Sequence, residues 1–256
     1  MKKIVCIIQA RMGSTRLPGK VIKKLSGKTV LSHVIDRVKQ SKLIHDIVIA
    51  TTENKKDSVI VEEAKKKHVK YLRGSEKDVL SRYYYAAKEN NGDIVVRITS
   101  DCPLIDPLII DKIIKKYKEN EYNIITNGGN DLVERTYPRG LDVEVFSFDI
   151  LKKAYLKAHK SYQREHVTPY MYENSKNIYY FKNDIDYSKY RWTLDTKEDL
   201  QLIKNIYNNF YKGTHNFYFK DILKYIEENP QLSYINEHVN QKSLEKEVSN
   251  EGAKKS

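Results

Sequence analysis

Apolar runs and amphipathic stretches alternate through the first half of the chain. Residues 4–8 form a continuous apolar run, with Ala10 just beyond Gln9, the pattern of a strand buried on both faces. The run passes directly into a polar loop carrying Arg11, Gly13, Ser14, Thr15, Arg16, Pro18, Gly19 and Lys20. Over 29–40, Val30, Val34 and Val38 recur on one face with Leu31 and Ile35 beside them, which predicts an amphipathic helix. The same reading predicts strands at 46–51, 69–72, 93–98 and 122–126, and helices at 58–67, 77–89 and 107–119. Asp106 is placed to cap the last of these helices, with Pro107 at its first position. Such alternation implies an α/β fold whose central sheet is mostly parallel, with right-handed crossovers.

The rhythm changes near residue 127. Residues 127–140 are rich in turn formers, and 141–146 alternate apolar and acidic side chains at period two. That alternation predicts an exposed antiparallel strand or hairpin, a small insertion over 127–147 suited to substrate contact or dimer pairing. Helices at 148–159 and 163–173, strands at 178–182 and 191–193, and helices at 197–209 and 219–228 follow. Past Pro230 the composition turns polar, so 1–230 reads as one domain and 231–256 as a flexible tail.

The loop after the first strand is the leading candidate for chemistry. Gly13 and Gly19 let the backbone approach a ligand closely, and free amides there can form an anion-binding nest. Arg11, Arg16 and Lys20 add three cations suited to a triphosphate. A merely solvated basic loop is the competing reading; strand, glycines and hydroxyls in this order favour phosphate. The loop is not an ordinary P-loop, because five residues separate Gly13 from Gly19 and Val21 follows Lys20. No GxGxxG dinucleotide fingerprint occurs either.

Carboxylates are expected to face this loop. The strand at 93–98 leads into Asp101 and Asp106, with Arg97 near its end, at the carboxyl edge where open α/β sheets bind ligands. Asp101 is there either to cap the turn before Pro103 or to ligate Mg²⁺, which takes oxygen donors and keeps several waters. In 191–200, Thr196 and Asp199 resemble a capping box, which leaves Asp195 at the strand–helix junction for function. Asp101 and Asp195 together can hold one or two Mg²⁺ ions against a triphosphate.

Charge and composition change this picture little. The 256 residues carry 46 Lys and Arg against 34 Asp and Glu, a formal +12 that suits polyanionic substrates as well as nucleic acid. Much of the lysine lies in helical surface runs such as 65–67 and 115–116, and no nucleic-acid-binding module accompanies it. Cys6 and Cys102 fall in apolar or strand-end contexts far from metal-ligand spacing, as buried free thiols do. No apolar run approaches the roughly 20 residues of a membrane span, and the N-terminus lacks a signal-peptide pattern, so the expected compartment is the cytoplasm.

QARMGSTRLPGK, residues 9–20, resembles the N-terminal signature of the cytidylyltransferases that make CMP-activated acid sugars, nearest to the spore-coat polysaccharide protein F branch. RGSEKDVLSRY, YPRGLDVEVF and REHVTPYMYEN match the family as well, and the resemblance spans roughly residues 3–210. It implies a Rossmann-like, GT-A-like nucleotidyltransferase domain that uses CTP and Mg²⁺, acts on a small acidic sugar or hydroxy acid, and pairs as a homodimer. The family coordinates magnesium through an aspartate after its central strand and another in a DTxxDL element, here Asp101 in SDCPL and Asp195 in LDTKEDL. Gln9, where many relatives have proline, is typical of the protein F branch.

Nucleotide contacts are expected at Ala10, Arg11, Gly13, Ser14, Lys20, Gly74, Asp78 and Arg82. Asp78 and Arg82, four apart, suit a plain helix ion pair equally well. Acceptor contacts are expected at Arg97, Tyr137, Arg139, Asp142, Glu144, Glu165 and His166. Asp142 and Glu144 share a strand face that binds sugar hydroxyls or is simply solvated, Arg139 can receive a carboxylate or phosphate, and His166 either touches substrate or packs. His33 reads as structural. With no Ser/His/Asp order or GxSxG, direct displacement at the α-phosphate is expected, with Arg11, Arg16 and Lys20 stabilising phosphate charge. A glycosyltransferase of the same fold and a basic nucleic-acid-binding protein are the alternatives.

Overall fold

The first strand has a parallel neighbour on either side and a helical layer on either face, which is why its sequence is uninterruptedly apolar. A computed structural model of the chain describes residues 1–128 and 134–240. β1 (Ile4–Gln9) leads through the polar loop to a two-stranded ribbon, β2 (Lys24–Leu25) and β3 (Lys28–Thr29), and then α1 (Val30–Val38). The ribbon turns over Ser26 and Gly27, both at positive φ. There follow β4 (Asp46–Thr52), α2 (Ser58–Lys66), β5 (Lys70–Gly74), α3 (Val79–Glu89), β6 (Ile94–Thr99), α4 (Pro107–Lys118) and β7 (Ile124–Thr126). The second half holds β8 (Glu144–Ser147), α5 (Phe148–Lys157), α6 (Ser161–His166), α7 (Pro169–Asn174), β9 (Ile178–Tyr180), α8 (Lys197–Phe210) and α9 (Phe219–Glu228).

Seven strands form one sheet in the order β5-β4-β1-β6-β8-β7-β9. β5, β4, β1 and β6 run parallel, β8 is antiparallel to both β6 and β7, and β9 is parallel to β7. The α/β class and mostly parallel sheet are those expected from the hydrophobic pattern. β1 divides its side chains between two cores: Ile4, Cys6 and Ile8 pack with residues of α1, α4, α8 and α9, while Val5 and Ile7 pack with residues of α3 and α5. The sheet's carboxyl edge is left for loops.

Four departures from the sequence reading have physical causes. The segment 141–146 is no exposed hairpin; β8 lies inside the sheet, with Val143, Val145 and Phe146 fully buried and Glu144 only 6% exposed. Its acidic alternation marks a buried carboxylate that Arg97 of the adjacent strand and the Tyr172 hydroxyl satisfy. The rest of the expected dimer-pairing segment includes 129–133, outside the described residues. The helix expected over 163–173 is two helices, because Val167 sits at φ 73 and Pro169 must open a new helix.

The strand expected at 191–193 is reduced to one parallel bridge, Arg139 to Arg191. The tail expected from 231 instead begins inside the fold: Pro230–Ile235 is a 3-10 turn, Leu232 is buried, and Asn236 is 2% exposed. Residues 241–256 lie outside the described residues.

The bridge at Arg139 depends on one glycine. Arg139 N–H donates to Tyr190 O at 3.0 Å, and Trp192 N–H donates to Arg139 O at 2.6 Å. A Cβ on Gly140 would stand 2.5 Å from Trp192 C and 2.6 Å from Thr193 N, and its φ of 104 already disfavours a side chain. Gly213, at φ 94 with nothing within 4 Å, isolates the conformational part of that penalty. Gly213→Ala is expected to cost about 1–2 kcal/mol, and Gly140→Ala at least about twice as much, because the backbones must also separate. Urea midpoints at constant m-value check this; equal losses would mean the close approach contributes nothing.

Candidate active site

The loop after β1 is tied into shape by its own chain and by one buried aspartate. Ala10 N–H continues the strand ladder to Ala50 O at 3.1 Å. Met12 N–H donates to Asp57 Oδ1 at 2.8 Å, and Asp57, 2% exposed, also receives the Thr52 hydroxyl. Ser14 N–H and Gly19 N–H both donate to Met12 O, at 2.9 and 3.4 Å, and Leu17 is buried as an anchor. Gly19 reaches this position at φ 64. The amides of Gly13, Thr15 and Arg16 donate to no protein group among the described residues, so donors remain for an anion. Ser14 Oγ accepts Leu17 N–H at 3.4 Å.

Lys20 then turns inward and becomes the hub. Its Nζ lies 2.7 Å from Asp101 Oδ2 and 3.0 Å from Asp195 Oδ1. Arg16 pairs with the other oxygen of Asp195, and Arg191 approaches the same atom at 3.8 Å. Asp101 Oδ1 accepts the Thr99 hydroxyl at 2.6 Å. Backbone bonds hold the two carboxylates together: Leu194 N–H and the Thr193 hydroxyl both donate to Asp101 O, at 2.8 and 3.2 Å. Burial alone would raise the Asp101 carboxyl, but the Lys20 ammonium and the Thr99 hydroxyl overcome it and hold the group below its ordinary range.

Asp199, fully buried, carries the structural load beside them. It takes Arg191 through two bonds of 2.9 and 3.1 Å, caps Asp195 N–H and Thr196 N–H at 2.9 Å each, and accepts the Asn236 amide at 2.8 Å. The capping box expected at Thr196 and Asp199 is present, and it leaves Asp195 facing the loop. Two carboxylates converging on one cationic nitrogen are a donor set that fits Mg²⁺, which uses one or two protein carboxylates and fills its shell with water and phosphate.

The other expected residues divide into walls and supports. Arg11 is exposed between Glu76 and Glu165, at 3.7 and 3.8 Å, so the β5–α3 loop and α6 flank the phosphate loop. Gly13 faces Glu76 as well. Asp78 caps α3 through Ser81 N–H at 2.9 Å and pairs with Arg164 at 3.5 Å. Arg82, 2% exposed, donates to Ser75 O at 2.5 Å and packs against Gly74, so it braces the loop from behind. The i,i+4 pair between Asp78 and Arg82 does not form.

Tyr137 is a correction. Its ring is buried in the core against Phe181 and Phe219, where it supports the site and cannot line it. Arg97 is neutralised by Glu144 and reaches Gln9 Oε1 at 3.5 Å. Asp142 is paired with Arg135 at 2.5 Å, and Arg139 stands half-buried nearby. His166 ends α6, half-buried, its carbonyl accepting Thr168 N–H at 2.9 Å. His33 is structural, as expected: fully buried against Leu25 O and His215, with burial pushing it down to about 4. Asp57, Arg135 and Asn236 escaped the sequence reading, since only their distant partners give them a role.

The family model for cytidylyltransferases matches residues 5–244 of the chain. The chain belongs to the cytidylyltransferase family. Among its relatives, an uncharacterized protein of Methanocaldococcus jannaschii is 41% identical over 246 residues, 94% of this chain and 97% of that one. The spore coat polysaccharide biosynthesis protein SpsF of Bacillus subtilis is 31% identical over 213 residues, 81% of this chain and 87% of its own. The solved structure of a cytidylyltransferase from Leptospira borgpetersenii superposes with a TM-score of 0.85 at 39% identity, covering 91% of this chain and 97% of that one. As a cytidylyltransferase, the chain is a CTP-dependent nucleotidyltransferase. No helix among the described residues is long and apolar enough to cross a membrane.

The depressed Asp101 carboxyl gives the cytidylyltransferase an acid limb of stability. Its folded value lies below the ordinary 3.8, so on acidification the unfolded chain takes up that proton first. The stabilisation is complete above the ordinary value and is lost as the pH falls below 3.8 through the folded value. Asp101→Asn, which cannot titrate, is expected to flatten the fall of unfolding free energy with pH in that window. Denaturant titrations from about pH 5 to about pH 2.5 read the slope; an equally steep variant would remove Asp101 from the limb.

Proposed function

We propose that this cytidylyltransferase transfers CMP from CTP to the hydroxyl of an acidic sugar or related hydroxy acid, for surface polysaccharide. The observation that carries the reading is Lys20 bridging Asp101 and Asp195 at the inner end of a loop with free amides. The acceptor oxygen attacks the α-phosphorus, the bond from phosphorus to the bridging β-phosphate oxygen breaks, pyrophosphate leaves, and the hydroxyl proton passes to water. The amides of Gly13, Thr15 and Arg16 bind the phosphate tail, and Arg16 and Lys20 exchange carboxylate oxygens for phosphate oxygens as CTP enters. Arg11, on the rim, adds a third cation.

Asp101 and Asp195 would hold Mg²⁺, which neutralises phosphate charge when bound. Arg139 faces the acceptor with a charge suited to its acid group, and Gly74 and Asp78 shape the nucleoside wall that Arg82 braces. The spore-coat name of the Bacillus subtilis relative supports a destination in surface polysaccharide.

Pyrophosphate release with each of the four nucleoside triphosphates, Mg²⁺ and a panel of acidic sugars and hydroxy acids tests the reading. Release is expected with CTP, and to fall on the order of a hundredfold or more in Asp101→Ala, Asp195→Ala and Lys20→Met, the loss typical of an electrostatic contact to the reacting phosphate. Tight nucleotide-sugar binding with no release from any triphosphate would replace this reading with glycosyl transfer.

A further inference from the structure

The C-terminal segment reaches the same cluster that the first loop reaches with Lys20. After the 3-10 turn at Pro230–Ile235, Asn236 is 2% exposed, while Glu237, His238 and Asn240 stand in solvent. Leu232 already anchors this segment by apolar burial. A buried amide further on is costly unless its hydrogens are placed, and what it adds over a second leucine is direction.

Both hydrogens are placed. Asn236 Nδ2 donates to Arg191 O at 2.9 Å and to Asp199 Oδ1 at 2.8 Å. Arg191 Nε donates to that same Asp199 oxygen at 2.9 Å, so the amide closes a ring that grips Arg191 by its backbone and Asp199 by its carboxylate. The other Asp199 oxygen accepts Asp195 N–H at 2.9 Å, which leaves one carboxylate between Asn236 and the backbone of Asp195. A turn closed by Val239 N–H on Asn236 O at 3.0 Å then brings Asn240 O to 3.1 Å from Arg16 Nη1. Arg16 Nη2 pairs with the Asp195 side chain. The segment bears on Asp195 twice, through its amide and through its carboxylate. Asp101 is set by other groups: Leu194 and Thr193 hold its carbonyl, and Thr99 and Lys20 hold its carboxylate.

We propose that Asn236 is a positioning residue of the transfer reaction, through which the strap of residues 230–240 holds Asp195 in register with Asp101 for the metal–triphosphate complex. Asn236 touches neither metal nor nucleotide; it acts through Asp199. Without the amide, Asp199 keeps Arg191 but loses a bond that fixes its rotation, and the Asp195 amide turns with it. This rests on the transfer reading above and extends its site to the C-terminal segment.

Calorimetric titration of the full chain with a non-hydrolysable CTP analogue, in Mg²⁺ and in EDTA, tests it alongside urea midpoints. Asn236→Leu keeps the bulk of the side chain and removes both donors. It is expected to weaken the Mg²⁺-loaded complex on the order of tenfold or more, the effect typical of a group behind a metal ligand, and to leave the metal-free affinity unchanged. Leu232→Ala loosens the same segment without touching Asp199, and is expected to lower the urea midpoint while both affinities hold. A folded Asn236→Leu with unaltered metal dependence overturns the proposal. So does an equal loss in Leu232→Ala, which would reduce the effect to attachment of the strap. Should Asn236→Leu not fold, Asn236→Ser, which retains one donor, takes its place in the same comparison and must still lose metal-dependent affinity. If the unsubstituted protein does not bind the analogue, the transfer reading fails. Titration with Mn²⁺ alone, followed by water proton relaxation, then decides the strap: weaker binding in the Asn236 variant supports it, and equal or absent binding in both proteins overturns it.

Discussion

Two carboxylates far apart in the sequence share one ammonium, and that sharing organises the carboxyl edge of the sheet. Like charges so close repel unless a cation stands between them. Lys20 supplies it from the first loop, and Arg16 supports it on the Asp195 side. The backbone cooperates, because Asp101 O receives both Leu194 N–H and the Thr193 hydroxyl. The arrangement cannot form until β1, β6 and the segment before α8 have come together, so the site reports on the completed fold. Partly buried and built of charge-assisted contacts, it is also poised to exchange partners when a more highly charged ligand arrives.

A division of labour among neighbouring aspartates makes that exchange possible. Asp199 is wholly buried and committed to Arg191, two amides and Asn236. Because it satisfies the helix start, Asp195 is free of capping duty and can face the loop. Asp57 plays the same part for Met12 on the other side. Asp195 and the loop are thus each set by a buried carboxylate that does no chemistry, and removing that support displaces them without touching them.

Local pattern revealed the parts whose physics is local. β1, β4 and β6 are apolar because both faces of a parallel sheet are covered, and α4 announces itself through Asp106 and Pro107. The pairing of Asp101 with Asp195 was legible because a capping box accounted for Asp199 and left its neighbour over. What stayed hidden is defined by partners far away in sequence. Glu144 looks solvated until Arg97 is placed on the adjacent strand. Tyr137 stands in a matching motif yet serves the core, since a motif marks a position and not the direction of a side chain. The polar stretch after Pro230 conceals Leu232 and Asn236, two anchors too sparse to alter its average composition.

The same logic separates the two basic regions of the site. In the phosphate loop every cation already has a carboxylate, so a triphosphate must displace existing bonds, and its several charges favour that exchange. Around Arg135 the balance differs, since its buried Nε and Nη1 have no hydrogen-bond partner among the described residues. Neighbouring cations are therefore unequally satisfied: those of the loop are each matched by a carboxylate, whereas Arg135 and Arg139 share Asp142.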